Sequence, residues 1–271
     1  MLLTHLALMS AQAATLEVGS GEGAYRTISS AVSEASDGDK ISVSAGTYAE
    51  AVDFEGKAIT IESKDGAETT FITGNGSVTL TASTGETDAS ILSGFTIQGV
   101  GHTCIVLNDV SLMVKDSIVE SCGGASTFIG GGAQINGGAP AFENVSFVGN
   151  QAVNGGAIRS AFDTDIRIDN CRFENNQAQD GGALHLTDTI INLGNSSFTA
   201  NEATVGDGGA IWGNEITLNL TNSSLEDNSA LYDGGAVFAS ESRVSITDMR
   251  AVTGNEAAYG EGGVLRIDDA S

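Results

Sequence analysis

Gly155-Gly156-Ala157-Ile158 returns as Gly181-Gly182-Ala183-Leu184, Gly208-Gly209-Ala210-Ile211 and Gly234-Gly235-Ala236-Val237, and in altered form at Gly262. The leading glycines are 26, 27, 26 and 28 residues apart. A near-constant period in this range marks a solenoid in which each repeat is one coil. A second signature precedes each pair: Phe147 to Asn150, Phe173 to Asn176, Phe198 to Asn201 and Leu225 to Asn228, with Ala152, Ala178, Ala203 and Ala230 two residues later. Three residues before each Phe or Leu stands another Asn, at Asn144, Asn170, Asn195 and Asn222.

Between these marks the aliphatic residues alternate, as Ile166 and Ile168, Ile191 and Leu193, Leu218 and Leu220, Val244 and Ile246. Alternation with a period of two is the mark of a strand. Strands this short bury no face alone, but coils stacked at about 4.8 Å form parallel sheets around a continuous core. Stacking sets like over like, which predicts a Phe column and an amide ladder through Asn176, Asn201 and Asn228. The fold class expected is all-β: a single-stranded, right-handed parallel β-helix.

Outward from the repeats the pattern changes. Tyr25, Ile28, Ala31, Val32 and Ala35 have helical spacing, ended by Asp37-Gly38-Asp39 ahead of a strand at Ile41 and Val43 and a turn at Gly46-Thr47-Tyr48. This predicts a short helix capping the open end of the coil stack, within an N-terminal unit of residues 14–55. Residues 56–271 read as coils, regular from about residue 139 and cut off within a repeat at Ile267 to Ser271. Strands are expected around Ile59, Ile61, Val78, Leu80, Phe95, Ile97, Leu112 and Val114; the number of coils in 56–135 stays open, with Gly131-Gly132 and Gly137-Gly138 as rival starts. A slip of one residue between Asp248 and Asn255 suggests a bulge.

Composition narrows function. Gly is abundant at 36 residues and Pro occurs once, while 41% hydrophobic content is enough for a core and argues against disorder. The net charge of -24 repels phosphate backbones and anionic headgroups, so nucleic acid and anionic membranes are poor partners. Residues 1–13, with Leu2, Leu3, Leu6, Leu8 and Met9 before Ala11-Gln12-Ala13, read as a signal peptide, shortened if the start was assigned too late. No later stretch reaches the ~18 apolar residues of a membrane span. Cys104, Cys122 and Cys171 lack CxxC spacing; a Cys104–Cys122 disulfide and three buried thiols are both open readings.

Two columns are candidate sites. The residues before the glycine pairs are Asn154, Asp180, Asp207, Asp233 and Glu261. Four stacked acids repel one another, and calcium bridging Asp180, Asp207, Asp233 and Glu261 is one remedy; Asp-Gly-Gly turn chemistry with splayed side chains is the other. No cofactor is otherwise required. One residue past the inward aliphatic of each coil stand Arg159, His185, Trp212, Phe238 and Arg266, which predicts an exposed aromatic stripe flanked by cations, suited to a glycan face or a protein contact.

The residues carry two resemblances. Tyr25 to Glu50, from Tyr-Arg-Thr-Ile-Ser-Ser-Ala-Val to Gly-Thr-Tyr-Ala-Glu, resembles the capped start of β-helices of the pectin-lyase-like superfamily. Residues 139–267, with Gly-Gly-Ala-aliphatic alternating with Phe-x-x-Asn, resemble the repeats of polymorphic outer membrane proteins. The second resemblance implies a secreted or cell-surface passenger of structural or adhesive role, associated with an outer membrane, whose partner is a glycan or a surface protein of a host or neighbouring cell. The first brings in polysaccharide enzymes, and fold alone does not decide between them. On the strand of Ile166 and Ile168, the outward residues Asp165, Arg167 and Asp169 are the catalytic candidates for a calcium-dependent lyase. The matching residues of the next coils, Ile190, Asn192, Gly194, Thr217, Asn219 and Thr221, bring no carboxylate, and none is expected from either side. His102 lies in a glycine-rich turn with no acidic partner in sequence.

Overall fold

The structure is a computed structural model that describes residues 13–126 and 130–268. The leader expected at 1–13 lies outside the described residues except for Ala13, as do the last three residues of the repeat expected to end at Ser271. The described chain winds into a parallel β-helix of about ten coils, its strands falling into parallel sheets of 17, 9 and 4 strands. One regular coil runs through Ile158–Ala161, Thr164–Asp169, Arg172–Glu174 and Gln177–Ala178, then turns at Gly181-Gly182 into the next. In the two following coils the first pair of strands fuses into continuous runs, Leu184–Gly194 and Ile211–Thr221.

Register follows the repeat. Phe147 pairs with Phe173, Phe173 with Phe198, and Phe198 with Leu225. The rings stack nearly parallel, with centroids 5.1 Å and then 4.5 Å apart. They are fully buried beside the aliphatic columns, and this continuous apolar interior stabilises strands too short to fold alone.

The amide ladder forms as expected and is longer than the three central residues. Asn201 Oδ1 accepts from both the backbone N and Nδ2 of Asn176, at 3.1 and 3.0 Å. Asn201 in turn donates its backbone N and Nδ2 to Asn228 Oδ1, and Nδ2 also to the Phe173 carbonyl at 3.0 Å. The same bonding runs from Asn150 to Asn255, so each amide ties together three coils. The outer Asn column has a different cause: Asn144, Asn170, Asn195 and Asn222 all sit at positive φ, between 44° and 54°. The coil turns its corner there in the left-handed conformation, which Asn tolerates better than most residues.

Several expectations are revised. The helix is Ile28–Glu34, with Thr27 as N-cap accepting from the Ser30 amide, and Tyr25 lies outside it, in a bridge to Val18. Gly46–Tyr48 is a strand paired with Thr70–Ile72, where a turn was expected. Of the rival starts, the glycine run at Gly131-Gly132 stacks on Gly155 and Gly156 through backbone hydrogen bonds, while Gly137 and Gly138 turn at positive φ elsewhere in the coil. The one-residue slip is taken up at a corner rather than by a bulge within a strand. Met249 and Arg250 replace the single Ser223 between Asp248 and Ala251, and the Arg250 guanidinium donates to the Ser196 carbonyl.

Cys104 and Cys122 form a disulfide with Cα atoms 5.6 Å apart, which excludes the three-thiol reading. Cys171 is free and buried, and desolvation pushes its thiol up to about 12. It takes the place in a corner column that Ser196 and Ser223 occupy in the next coils, where each hydroxyl accepts the amide of the coil before. No described helix is long and apolar enough to cross a membrane.

Candidate functional site

The stripe assembles on one sheet face because its five residues hold the same register position. Arg159 pairs with His185, His185 with Trp212, Trp212 with Phe238 and Phe238 with Arg266. The His185 and Trp212 rings stack with centroids 4.2 Å apart, and Phe238 follows at 6.3 Å. Exposure differs from expectation: His185 and Trp212 are half-buried and Phe238 is only 8% exposed. Rings stacked at coil spacing cover each other's faces, so the column presents edges to solvent. Burial, together with the neighbouring Arg159 charge, pushes His185 down to about 4. Its Nδ1 is buried and finds no hydrogen-bond partner among the described residues. At the far end Arg266 is held by Glu261 and by Asp268, the latter at 2.5 Å.

The acids before the glycine pairs also align, and their arrangement shows how the stack tolerates them. Asp180 Oδ1 accepts the Asp207 amide at 3.1 Å, Asp207 Oδ1 the Asp233 amide at 2.8 Å, and Asp233 Oδ1 the Glu261 amide at 2.5 Å. Each carboxylate is therefore anchored by a backbone N–H of the following coil, which offsets part of the repulsion between coils. Repulsion is still felt at the centre: desolvation, with Asp233, Asp180 and Asp268 nearby, raises Asp207 despite that bond. Among the described residues no group of three or more His, Cys, Asp or Glu is arranged to hold a metal ion.

The third candidate set is revised. Asp165, Arg167 and Asp169 lie on Thr164–Asp169 with Ile166 and Ile168 buried between them. Glu143, which sequence reasoning missed, pairs directly with Asp169 from the preceding coil, correcting the expectation that no carboxylate joins. Glu143, Arg167, Asp169 and Asn192 line one open hollow; Arg167 also borders a second hollow with Asp165, Glu86 and Asp88. These acids are spoken for in part, since Asp169 accepts from Asn195 at 2.6 Å and the buried Glu86 accepts the Gly56 and Thr84 amides. His102 is exposed, away from these groups in sequence. The signal for Glu143 was present in Ala141-Phe142-Glu143, but the coil before residue 144 lacks the marks that would set its register.

With this geometry in hand, residues 144–161 match the Chlamydia polymorphic membrane protein repeat. The chain carries repeats of that type. The matched segment holds corner residue Asn144, ring Phe147, ladder Asn150 and the first glycine pair, the parts that the structure shows stacking. The pectin methylesterase PemA of Erwinia chrysanthemi is structurally similar at 12% identity and a TM-score of 0.49, covering 90% of this chain and 93% of that one. No curated protein sequence matches the chain.

Proposed function

We propose that this chain is a secreted or cell-surface scaffold of passenger type, whose rigid β-helix presents the Arg159–Arg266 stripe to a glycan or to a surface protein of a host or neighbouring cell. The observation that carries this reading is the ring stack of His185, Trp212 and Phe238 bracketed by two arginines. Aromatic and Arg side chains dominate contact energetics, and a stack on a parallel sheet is preorganised, so little ordering cost falls on binding. The polymorphic membrane protein repeat supports surface display, and the Cys104–Cys122 disulfide fits an oxidising, extracytoplasmic compartment. Glycan-array and cell-binding assays comparing the protein with Trp212→Ala test it, with melting curves as the control for folding. A loss of about tenfold or more is expected for removal of a central aromatic anchor. Equal binding by both proteins, or none by either, removes the reading.

A second reading is favoured by Glu143 beside Asp169: a calcium-dependent polysaccharide lyase, with the acids holding calcium and the Arg167 guanidinium stabilising the negative charge that develops as solvent hydroxide removes the proton. Incubation with an acidic polysaccharide and calcium, following the absorbance of the unsaturated product, decides it. Turnover abolished in Arg167→Ala would support the enzyme; absence of turnover in the unaltered protein would remove it.

A further inference from the structure

The turn ahead of the glycine pairs changes along the helix. One residue separates the ladder alanine from the acid at Ala178 and Asp180, but three stand between Ala203 and Asp207, two between Ala230 and Asp233, and three between Ala257 and Glu261. The added residues put large apolar side chains outside. Val205 is 51% exposed, Tyr232 50% and Tyr259 80%, on three successive coils. Their backbones stack, with the Tyr232 amide donating to the Gly206 carbonyl at 3.1 Å and the Tyr259 amide to the Leu231 carbonyl at 3.0 Å. Gly206 and Gly260 flank this patch for a steric reason: a Cβ at Gly206 would strike the Asp180 carboxylate, and one at Gly260 the Asp233 carboxylate. The glycines let the acids tuck beneath the turns and leave the tyrosine rings proud of them.

Charge selects the occupant. Glu202 and Glu256 are exposed on the short strands leading into these turns, and Asp207, Asp233 and Glu261 follow them. Between Arg172 and Arg243 the chain has no Lys or Arg at all, while ten Asp and Glu fall in that interval. Arg266 pairs with Glu261 at one edge, but among the described residues Glu202, Asp207, Asp233 and Glu256 form no salt bridge. Exposed phenol rings beside such carboxylates suit a guanidinium or ammonium that lies on the ring face while pairing with the acid. The apolar part of the patch asks for more than charge, since Val205 and the rings are contact area that water solvates poorly.

We propose that the corner formed by Val205, Tyr232 and Tyr259 with Glu202, Asp207, Asp233 and Glu256 docks a basic segment of a partner protein, one that mixes Arg or Lys with apolar side chains. The corner is built from residues other than the rings of the Arg159–Arg266 stripe, and the two meet only at the Arg266–Glu261 ion pair.

The probe is a fluorescein-labelled peptide of Arg-Ser-Leu repeats, followed by anisotropy, alongside a peptide with Glu for Arg and one with Ser for Leu. The unaltered protein should bind the Arg-Ser-Leu peptide saturably and prefer it to both others. Tyr232→Ser with Tyr259→Ser should weaken binding about tenfold or more, as loss of anchoring aromatics does. Glu202→Gln with Glu256→Gln should weaken it and reduce its dependence on salt. Trp212→Ala should bind as the unaltered protein does, which separates this site from the stripe. The proposal is overturned if the unaltered protein shows no saturable binding, if the tyrosine variant keeps full affinity, or if Trp212→Ala loses as much. Melting curves establish that each variant is folded.

Discussion

Replacing Asn201 with Leu removes the centre of the buried amide ladder while keeping the number and branching of its side-chain heavy atoms. The backbone N and Nδ2 of Asn176 both donate to Asn201 Oδ1, so Leu strands one backbone and one side-chain donor in a region where Asn176 and Asn201 are fully buried. Asn176 Nδ2 keeps its second bond to the Phe147 carbonyl, and Asn228 Oδ1 keeps the amide of residue 201, but the Phe173 carbonyl loses a donor. Two stranded donors at about 1–3 kcal/mol each give a loss of about 2–6 kcal/mol, against roughly 5–15 kcal/mol for a typical domain. Chemical and thermal unfolding of Asn201→Leu measure it. Asn219→Leu is the control, because Asn219 bonds Asn192 on the exposed face, where a change of about 0.5 kcal/mol or less is expected. An Asn201→Leu protein as stable as the original would refute the ladder as a source of stability.

Further outcomes follow from other parts of the molecule. His185 is held well below its ordinary value, so the folded state binds its proton less readily than the unfolded chain; this contribution is complete above about pH 6.5 and is lost as pH falls towards about 4. Melting curves of His185→Phe should therefore fall less steeply over that interval than those of the original, and parallel curves would contradict the assignment. Asp207 is raised, so its ionisation works against folding, and that penalty lessens on acidification. Asp207→Asn keeps an acceptor for the Asp233 amide and should melt higher at neutral pH, with the gain shrinking as pH falls through the carboxylate range; a lower melting point would count against repulsion. Since backbone amides already anchor the acid column, melting midpoints should agree in millimolar calcium, magnesium and chelator, whereas a rise specific to calcium would assign Asp180, Asp207, Asp233 and Glu261 as a metal ladder. Glu50 accepts the Ile28 and Ser29 amides at 2.8 and 2.9 Å, so Glu50→Ala should speed amide exchange in Ile28–Glu34 and leave the Phe198 coil protected; uniform exchange in both proteins would show the helix independent of that clamp.

The repeat in the sequence was sufficient for the parallel coils, the Phe column, the Asn ladder and the alignment of Arg159 through Arg266, because stacking at one spacing turns a sequence period directly into neighbours. Where the period fails, sequence alone stopped. Glu143 meets Asp169 only because the irregular coil before it falls into register, and Glu50 reaches back to Ile28 over a separation of 22 residues that no period in the sequence marks. Burial also belonged to the tertiary structure: the period placed His185, Trp212 and Phe238 in line, but their half-hidden rings result from each covering the next. The tyrosine corner is the clearest case, since its residues are the ones that break the repeat. Period identifies residues that share an environment, while length variation pushes side chains out of it, and only the folded coil decides where those side chains emerge and which charges meet them.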